Sequence, residues 1–295
     1  MNILVTGATG FVGTHVLQAV VKKYPKATIC LLTNRTVEGY KCIKHHNYKI
    51  DKKEFAKAGI DNIDVVLHLG ASVPATITES WVDNEKYIYN IESTYSIIHE
   101  LPGIPRKFIY TSSVIVYEYS DICIDEDTKV APNTVYGMSK AMCELMLQQW
   151  ATENNVDLTI LRLGSCYGAG DKRESLIPFF VKKVKNYQNI EIYSDGNEHR
   201  CYIHVKDVAK AICNAIDLKH VPIVNVVGEK RYSVKYIAET IADFQGDYDK
   251  NLIKIENQNV KVRDDFYSNK LLQQCLLDKQ IPFEEGLWEE YQNIS

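Results

Sequence analysis

Long apolar runs, glycine and proline are all scarce in this 295-residue sequence. It has no stretch of about 18 consecutive apolar residues and no basic segment at its start, so it predicts neither a membrane-spanning helix nor a secretion signal. Only 15 Gly and 8 Pro are present, which excludes collagen-like and low-complexity chains. With 45% hydrophobic residues, the composition is typical of a globular protein.

A surplus of basic residues is also missing. The chain has 34 Lys and Arg against 38 Asp and Glu, a net charge of −4. Proteins that bind nucleic acid without sequence preference rely on excess Lys and Arg to neutralise phosphates. We therefore expect no nucleic-acid partner, and a small molecule is the better expectation for the ligand.

Eight cysteines are present, but no two of them form a Cys-x-x-Cys pair. Zinc sites and the disulfide frameworks of secreted proteins depend on such regular spacings, so both are disfavoured. The adjacent His45 and His46 cannot supply the geometry or the ligand number of a metal site, and we predict no metal. Reduced thiols are the remaining interpretation, and they indicate a cytoplasmic location.

Short runs of Val, Ile and Leu alternate with segments of helical periodicity along the chain. This alternation predicts an α/β fold of Rossmann type, a doubly wound parallel sheet with helices on both faces. The predicted strands are 2–6, 27–33, 63–69, 107–111, 158–163 and 223–227, and the predicted helices include 135–152, 205–217 and 234–244. The length suggests about two units.

A glycine array follows the first predicted strand and precedes a helix. Glycines in this position let a pyrophosphate approach the backbone where free N–H groups and the helix dipole favour an anion. The context predicts a dinucleotide site formed by Gly7, Thr9, Gly10, Phe11, Val12 and Gly13. We expect residues 1–165 to be the dinucleotide-binding Rossmann domain, and residues 166–295 to be mainly a smaller C-terminal substrate-binding lobe with some segments returning to the Rossmann core.

The end of the second predicted strand reads Leu31-Leu32-Thr33-Asn34-Arg35. NAD sites usually place an Asp or Glu here to accept a hydrogen bond from the ribose 2′-hydroxyl, whereas a 2′-phosphate prefers Arg. The acid is missing and Arg35 is present, so NADP(H) is favoured and NAD(H) is possible, with Asn34 and Arg35 as candidate contacts. The other interpretation of Arg35 is a solvated loop charge.

A tyrosine and a lysine stand four residues apart in a predicted helix, at Tyr136 and Lys140, and so share one helical face. A cation beside a phenol stabilises the phenolate and lowers its pKa, which suits acid-base catalysis near neutral pH. Upstream, residues 108–117 predict a strand that carries two hydroxyls, Ser112 and Ser113. These hydroxyls would lie at the carboxyl edge of the sheet, where ligands of open α/β sheets bind.

These motifs together resemble the extended short-chain dehydrogenase/reductase superfamily, and within it the NAD-dependent epimerase/dehydratase family of nucleotide-sugar enzymes. The resemblance covers nearly the whole chain, and the order and spacing of the motifs agree throughout. Further matching segments are Leu67-His68-Leu69-Gly70-Ala71-Ser72, Asn90, Leu161-Arg162-Leu163-Gly164-Ser165-Cys166-Tyr167-Gly168, and the stretch 195–209 that contains Arg200.

The resemblance implies hydride transfer between a sugar carbon and a nicotinamide, with Tyr136 as the general acid or base. Lys140 would bind the nicotinamide ribose and tune Tyr136. Ser113, or Ser112 in the neighbouring register, would hydrogen-bond the same substrate oxygen. The resemblance also implies cofactor contacts at Leu69, Gly70 and Ala71, and nucleotide-sugar contacts at Ser112, Ser113, Ser165 and Arg200.

A homodimer is implied as well. In relatives of this family, the helix that carries the catalytic lysine often pairs across a two-fold axis. The side chains that this helix would bring to the interface include Met142, Cys143, Met146 and Trp150. An ordinary buried helix face explains them nearly as well.

Two departures from the family pattern bear on the reaction. Sugar 4,6-dehydratases of the family carry Thr-Asp-Glu where this chain has Ser113-Val114-Ile115, so two carboxylates are missing and 4,6-dehydration is disfavoured. Ser165 replaces the Asn with which many epimerases contact the diphosphate. The sequence favours an NADPH-dependent 4-ketoreductase of a nucleotide 4-keto-6-deoxysugar. A nucleotide-sugar epimerase with tightly bound NAD is the alternative, and a non-catalytic dinucleotide sensor is a third hypothesis.

Overall fold

Strands and helices alternate along most of the chain in the computed structural model, which describes residues 1–74, 78–82, 85–173, 175–256 and 264–294. In chain order the strands are β1 (Asn2–Thr6), β2 (Thr28–Leu32), β3 (Lys41–Ile43), β4 (His45–His46), β5 (Lys49–Ile50), β6 (Val65–His68), β7 (Lys107–Ser113), β8 (Asp157–Leu163), β9 (Ser165–Tyr167), β10 (Ile190–Ile192), β11 (His199–Arg200), β12 (Tyr202–His204), β13 (Ile223–Val226), β14 (Tyr232–Ser233) and β15 (Ile253–Ile255). The α-helices are α1 (Phe11–Lys23), α2 (Lys52–Lys57), α3 (Ile88–Glu100), α4 (Val135–Asn154), α5 (Leu176–Lys185), α6 (Val205–Ala215), α7 (Val234–Gln245), α8 (Lys270–Cys275) and α9 (Phe283–Asn293). Short 3-10 helices lie at Thr78–Trp81, Glu85–Tyr87, Val114–Val116 and Lys250–Leu252.

Seven of these strands form one parallel sheet, in the order β3-β2-β1-β6-β7-β8-β13. Many of their residues are buried aliphatics, as expected for strands that helices cover on both sides. Side chains alternate between the faces, so Ile3 and Val5 pack with residues of α1, whereas Leu4 packs on the other side with residues of α3 and α4. The predicted Rossmann-type doubly wound sheet is confirmed.

The order of the sheet reverses at β1, which has β2 on one side and β6 on the other. In open parallel sheets, ligands bind beyond the carboxyl ends of the strands at this point of reversal. The chain leaves these ends at Gly7 after β1, at Thr33 after β2, at Leu69 after β6 and at Val114 after β7. The predicted cofactor segments and the predicted hydroxyls of β7 therefore meet at one edge of the sheet.

Part of the chain beyond residue 165 forms a separate cluster beside the sheet. Helices α5, α7 and α9 pack around buried residues such as Ile177, Ile237 and Leu287. Helix α6 instead packs beside α1, and β13 extends the central sheet next to β8. The chain thus leaves the sheet, returns to it and leaves again. We propose that this smaller cluster is the substrate-binding lobe expected within residues 166–295.

Candidate active site

The glycine loop between β1 and α1 packs closely against the loop after β6. Gly7 has a φ of +66°, and a Cβ there would lie 2.8 Å from the Cα of Gly70. A Cβ on Gly13 would lie 2.0 Å from the carbonyl oxygen of Gly7. Helix α1 begins at Phe11, and among the described residues no side chain caps its first turn. The backbone N–H groups of Phe11, Val12 and Gly13 are therefore the donors that a pyrophosphate would meet here.

Two cations flank the end of β2. Arg35 is exposed, and the Nζ atom of Lys44 donates to the backbone oxygen of Asn34 at 2.9 Å. The side-chain oxygen of Asn34 accepts a hydrogen bond from the backbone N–H of His45 at 2.9 Å. A neutral amide, fixed by the β4–β5 hairpin, thus stands where the expected carboxylate is missing. The sequence gives no signal for Lys44, because only the pairing of β3 with β2 brings it there.

Buried polar side chains hold the loop after β6. The backbone N–H of Gly70 donates to Oγ1 of Thr6 at 2.8 Å, and the same oxygen lies 2.8 Å from Nδ1 of His68. The other ring nitrogen of His68 lies 3.0 Å from Oγ1 of Thr94. Burial, with a smaller effect from Lys140, lowers the pKa of His68 to about 3, so its ring is neutral. His68 is therefore structural, and it helps to fix Gly70 beside the glycine loop.

Asn90 joins this loop to helix α4. Its Oδ1 accepts from the backbone N–H of Ser72 at 2.7 Å, and its Nδ2 donates to the backbone oxygen of Ser72 at 3.1 Å and to Oγ of Ser139 at 3.2 Å. Ser139 directly precedes Lys140 on α4. Asn90 thereby links the cofactor edge of the sheet to the helix that carries the Tyr-Lys pair.

Tyr136 is buried in α4, with its ring centroid 5.5 Å from that of Tyr87. Burial raises the pKa of its phenol, while the charge of Arg173 and a hydrogen bond with Ser113 act in the opposite direction. A phenol that stays protonated at neutral pH can serve as a proton donor. The structure thus brings Ser113 and Tyr136 together, as the sequence predicts for the catalytic residues.

Lys140 lies one helical turn beyond Tyr136 and is also buried. Its Nζ donates to the backbone oxygen of Thr111 at 2.6 Å and lies 4.4 Å from the centre of the Tyr110 ring. Burial lowers the pKa of the ammonium to about 8. Lys140 therefore faces the end of β7. The charge of Arg173 lowers the pKa of the Tyr136 phenol, and the sequence analysis did not include this residue. The effect of Lys140 on Tyr136 stays a prediction.

The two neighbouring hydroxyls at the end of β7 differ in their surroundings. Ser112 is buried, and within the described part of the chain its Oγ has no hydrogen-bond partner. Ser113 is half-buried, contacts Tyr136, and accepts from the backbone N–H of Ile115 at 3.4 Å. This placement favours Ser113 over Ser112 as the hydroxyl that acts with Tyr136.

An arginine outside the predicted set lies near Tyr136 and the glycine loop. The guanidinium of Arg173 donates to both oxygens of Asp171, each at 2.8 Å, and to the backbone oxygen of Cys166 at 3.1 Å. It also lies 5.6 Å from the ring centre of Phe11 in the glycine loop. The segment carrying it is anchored at Ala169, whose oxygen lies 2.9 Å from Nε2 of His15. Sequence reasoning missed Arg173, because only folding brings this loop onto helix α1.

The remaining predicted contacts fall into two places. Thr9 is exposed in the glycine loop, and Leu69 and Ala71 are half-buried in the loop after β6. On the side of the smaller lobe, Ser165 is exposed and pairs in register with Tyr202. Arg200 donates to the neighbouring backbone oxygen of residue 199 at 3.1 Å.

Arg231, which the sequence analysis also missed, is a second arginine at the pair formed by β11 and β14. It immediately precedes β14, and β14 pairs with β11 through Arg200 and Tyr232. Its Nη1 donates to Oδ2 of Asp264 at 3.3 Å, and its guanidinium lies 4.1 Å from the ring centre of Phe266. No motif marks this position in the sequence.

These groups suit one kind of chemistry. The loop after β1 offers N–H donors for phosphates, and helix α4 and the end of β7 offer a phenol, a hydroxyl and a buried cation. Among the described residues, no three His, Cys, Asp or Glu side chains are grouped so that they could hold a metal ion. None of the described helices combines the length and the apolar character needed to cross a membrane.

Curated proteins of several organisms are similar to this chain. A trifunctional UDP-glucose 4,6-dehydratase/UDP-4-keto-6-deoxy-D-glucose 3,5-epimerase/UDP-4-keto-L-rhamnose-reductase of Arabidopsis thaliana is 26% identical, over 97% of this chain and 46% of that protein. The chain thus spans about half the length of this relative. A dTDP-4-dehydro-6-deoxyglucose reductase of Escherichia coli is 25% identical over 81% of this chain and 80% of that protein. A putative UDP-glucose 4-epimerase of Methanocaldococcus jannaschii is 28% identical over 84% and 85%.

Solved structures and the family profile agree with these relatives. The UDP-glucuronic acid 4-epimerase of Bacillus cereus, in complex with UDP-glucuronic acid and NAD, has a TM-score of 0.82 at 20% identity and covers 100% of this chain and 99% of that one. The dTDP-glucose 4,6-dehydratase of Bacillus anthracis, in complex with NAD, has a TM-score of 0.79 at 21% identity, with 99% and 96% covered. The profile of the NAD dependent epimerase/dehydratase family matches residues 3–227. The predicted family is confirmed: this chain belongs to the NAD dependent epimerase/dehydratase family.

Proposed function

We propose that the protein is an NADPH-dependent 4-ketoreductase of a nucleotide 4-keto-6-deoxysugar. The observation that carries this proposal is the cation pair at the end of β2. Arg35 and Lys44 flank Asn34, which cannot repel a 2′-phosphate as a carboxylate would. A reductase consumes reduced cofactor in every turnover, and a site suited to a 2′-phosphate fits NADPH as that cofactor.

The residues beside Ser113 support reduction over dehydration. Val114 and Ile115 form a 3-10 turn and are both buried among apolar side chains. In the 4,6-dehydratases that the chain resembles, an acid and a base stand at these two positions. Apolar side chains can neither donate nor accept a proton, so elimination across the sugar C5–C6 bond has no support from these positions.

The proposed mechanism uses three side chains of this protein. NADPH, held at the glycine loop, would supply a hydride to the sugar C4. Tyr136 donates its phenolic proton to the oxygen at C4, and the resulting phenolate recovers a proton from solvent. Ser113 donates a hydrogen bond to the same oxygen and stabilises the negative charge that develops there. Lys140, as an ammonium, would hold the nicotinamide ribose, and Arg173 stabilises the phenolate of Tyr136.

A nucleotide-sugar epimerase is the second candidate. The similarity to the putative UDP-glucose 4-epimerase, which covers most of both chains, favours it. Tyr136 and Lys140 would have the same parts in an epimerase, because both reactions move a hydride at a sugar carbon. The difference lies in the cofactor, which an epimerase regenerates within each cycle and a reductase must exchange.

The test of the proposal is to denature the purified protein and to quantify the dinucleotide that it releases. We expect much less than one dinucleotide per chain, and we expect the empty protein to bind NADPH more tightly than NADH. Consumption of NADPH with a 4-keto-6-deoxy nucleotide sugar should follow. Release of NAD in near-stoichiometric amount would instead favour the epimerase.

A matched pair of variants checks the origin of the NADPH preference. Replacing both Arg35 and Lys44 by serine is expected to weaken NADPH binding about 10- to 100-fold and to leave NADH binding unchanged, since hydrogen bonds to charged groups contribute about 1.5–3 kcal/mol. The control is Lys26→Ser, because Lys26 is an exposed lysine that lies before the start of β2. If the double variant has the same ratio of NADPH to NADH affinity as the wild type, the cation pair does not cause the NADPH preference.

We propose that the smaller lobe binds the nucleotide diphosphate through Arg200 and Arg231, with Ser165 close to the sugar. Arg200 lies on β11 and Arg231 directly precedes the paired strand β14. Each guanidinium offers the forked donors that phosphate oxygens prefer. The nucleotide-sugar substrate would then lie between this lobe and the edge of the sheet. The cytoplasmic location stays a prediction.

We also propose a homodimer formed through α3 and α4. Both helices carry large apolar side chains on their exposed sides, namely Ile88, Tyr95, Met138, Met142 and Leu145. Exposed apolar patches of this kind mark protein interfaces. Not all of the residues expected at the interface have exposed side chains. Met142 is exposed, whereas Cys143 and Trp150 are buried against the sheet.

Leu145→Glu is expected to convert the dimer to a monomer. Leu145 is 67% exposed, so a charge there costs little in the monomer but would be buried in the interface. Sedimentation velocity measures the change. Ile122→Glu, at a side chain that is 73% exposed elsewhere, should leave the dimer intact. A monomeric wild type, or a Leu145→Glu protein that remains dimeric, would contradict the proposed interface.

A further inference from the structure

The ammonium of Lys140 rests against an aromatic ring deep inside the protein. Lys140 is 2% exposed, and its Nζ lies 4.4 Å from the centre of the Tyr110 ring. A cation within about 6 Å of the centre of a ring face is attracted by the ring quadrupole, most strongly where water is excluded. The same ammonium donates to the backbone oxygen of Thr111, at 2.6 Å.

Tyr110 cannot easily move away from this position. It lies within β7, between Ile109 and Thr111, and is 1% exposed. Its ring centroid is 5.3 Å from that of His68, which is neutral and therefore does not repel the cation. The strand thus presents a fixed π face to helix α4.

Within the part of the chain that the structure describes, few charged and titratable groups surround Lys140. From β6 comes the neutral His68, and from α4 come Tyr136, Cys143 and Glu144. Glu144 favours the charged lysine. Its carboxylate, however, is held by two hydrogen bonds from Arg162 of β8, at 3.1 and 2.7 Å. The ammonium therefore has no carboxylate in direct contact among the residues that the structure describes.

We propose that Tyr110 is a positioning residue for the active-site lysine, whose ammonium its π face keeps charged and directed at the end of β7. The proposal concerns a side chain that carries no catalytic group of its own. Its importance for turnover rests on the proposed function, because a charged Lys140 is needed there to bind the nicotinamide ribose. Burial lowers the pKa of Lys140 to about 8. Near that pH, a modest attraction between the ammonium and the Tyr110 ring changes the fraction of Lys140 that is charged.

The test is a titration of the Lys140 amine in protein labelled with ¹³C at the lysine ε carbon, with the signal assigned through Lys140→Arg. Tyr110→Leu removes the ring, and we expect it to lower the pKa of Lys140 by about 1, the size that a desolvated cation–π contact supports. Tyr110→Phe keeps a ring face, so the pKa should stay close to that of the wild type. In the enzyme assay, Tyr110→Leu should move the loss of activity at high pH to lower pH by the same amount, because the charged form exists only below its pKa.

Two controls separate the π face from simple packing. Phe55→Leu removes another buried ring of the same apolar cluster, one that lies on helix α2, and should leave the titration of Lys140 unchanged. Fluorinated phenylalanines at position 110 preserve the shape of the ring and weaken its quadrupole as the number of fluorines increases. They also replace Tyr110→Leu as the test if that variant does not fold. The pKa of Lys140 should then fall step by step with fluorination.

The outcomes distinguish this inference from the proposed function. A Lys140 titration that is identical in the wild type, Tyr110→Leu and the fluorinated proteins would overturn the part assigned to Tyr110, whatever reaction the protein performs. The expected shift in a protein that does not reduce a 4-keto nucleotide sugar would uphold that part and refute the 4-ketoreductase.

Discussion

Replacement of Tyr136 by phenylalanine is expected to slow reduction of a 4-keto nucleotide sugar by about 10²- to 10⁴-fold, the usual contribution of a positioned general acid. The ring that packs against Tyr87 is retained, and only the proton donor is lost. The affinity for NADPH should therefore stay within about 2-fold of the wild type, since the phosphates bind at the glycine loop. Single-turnover loss of NADPH absorbance measures the rate, and fluorescence titration measures the affinity.

Tyr248→Phe is the matched control for this variant. Tyr248 is another buried tyrosine, but it lies in the smaller lobe and its hydroxyl donates to the backbone oxygen of Gln188 at 2.7 Å. Loss of that bond should affect stability slightly and the rate of hydride transfer not at all. Turnover of Tyr136→Phe at the wild-type rate would exclude Tyr136 as the proton donor.

Gly13→Ala has the second large expected effect. The added Cβ would lie 2.0 Å from the carbonyl oxygen of Gly7 and 2.8 Å from the Cα of Ala8, and both are backbone atoms that cannot rotate away. We expect the free energy of unfolding to fall by about 1–3 kcal/mol, as for other overpacked sites. Dinucleotide affinity should fall about 10- to 100-fold, because the displaced N–H groups lose charge-assisted hydrogen bonds.

Urea unfolding and dinucleotide titration measure the two effects separately. Gly103→Ala serves as the control, since its Cβ would meet only Oδ1 of Asn62, at an ordinary contact distance of 3.4 Å. It should leave the dinucleotide affinity unchanged. A Gly13→Ala protein that binds the dinucleotide as tightly as the wild type would show that the glycine loop is not where the phosphates bind.

Six of the seven strands of the sheet could be predicted, because each is a short run of β-branched and aliphatic residues with polar or glycine-rich flanks. The edge strand β3 was missed, since Lys41-Cys42-Ile43 is short and has no apolar pattern of its own. The first strand is predicted at the observed bounds, Asn2–Thr6, and the helix that carries Tyr136 is predicted two residues short of its observed end at Asn154. Part of the candidate site followed from the same pattern, since the glycine array comes directly after a predicted strand and the two hydroxyls lie at the end of β7. Local sequence predicts a strand and its end where a buried apolar run is followed directly by turn residues.

Strand β7 shows where local pattern failed. The apolar residues 114–116 predict a continued strand to Tyr117, but β7 ends at Ser113. The side chain of Ser113 accepts from the backbone N–H of Ile115, which turns the chain into a 3-10 helix. A side-chain oxygen that satisfies a nearby N–H competes with the sheet ladder, and periodicity does not record this competition.

Other residues of the site depend on contacts between distant segments. Lys44 reaches Asn34 only because β3 lies beside β2. Arg173 reaches Phe11 only because the loop after β9 folds back onto α1. In the sequence, Tyr110 is an ordinary buried strand residue. Only the packing of α4 brings Lys140 to its ring. The contacts of these three residues can be identified only from the tertiary structure.

The return of the chain to the sheet through α6 and β13 ties the two halves of the protein together. Lys23 donates to Asn214 at 3.0 Å and Tyr24 to Asp217 at 2.7 Å, so the end of α1 is joined to the end of α6 and the residues after it. A fragment that stops at residue 165 would lack both elements, with an open edge on β8 and an uncovered apolar side on α1. The two halves are therefore expected to fold in one cooperative step, and a protease cut between them should unravel the first half instead of releasing it intact.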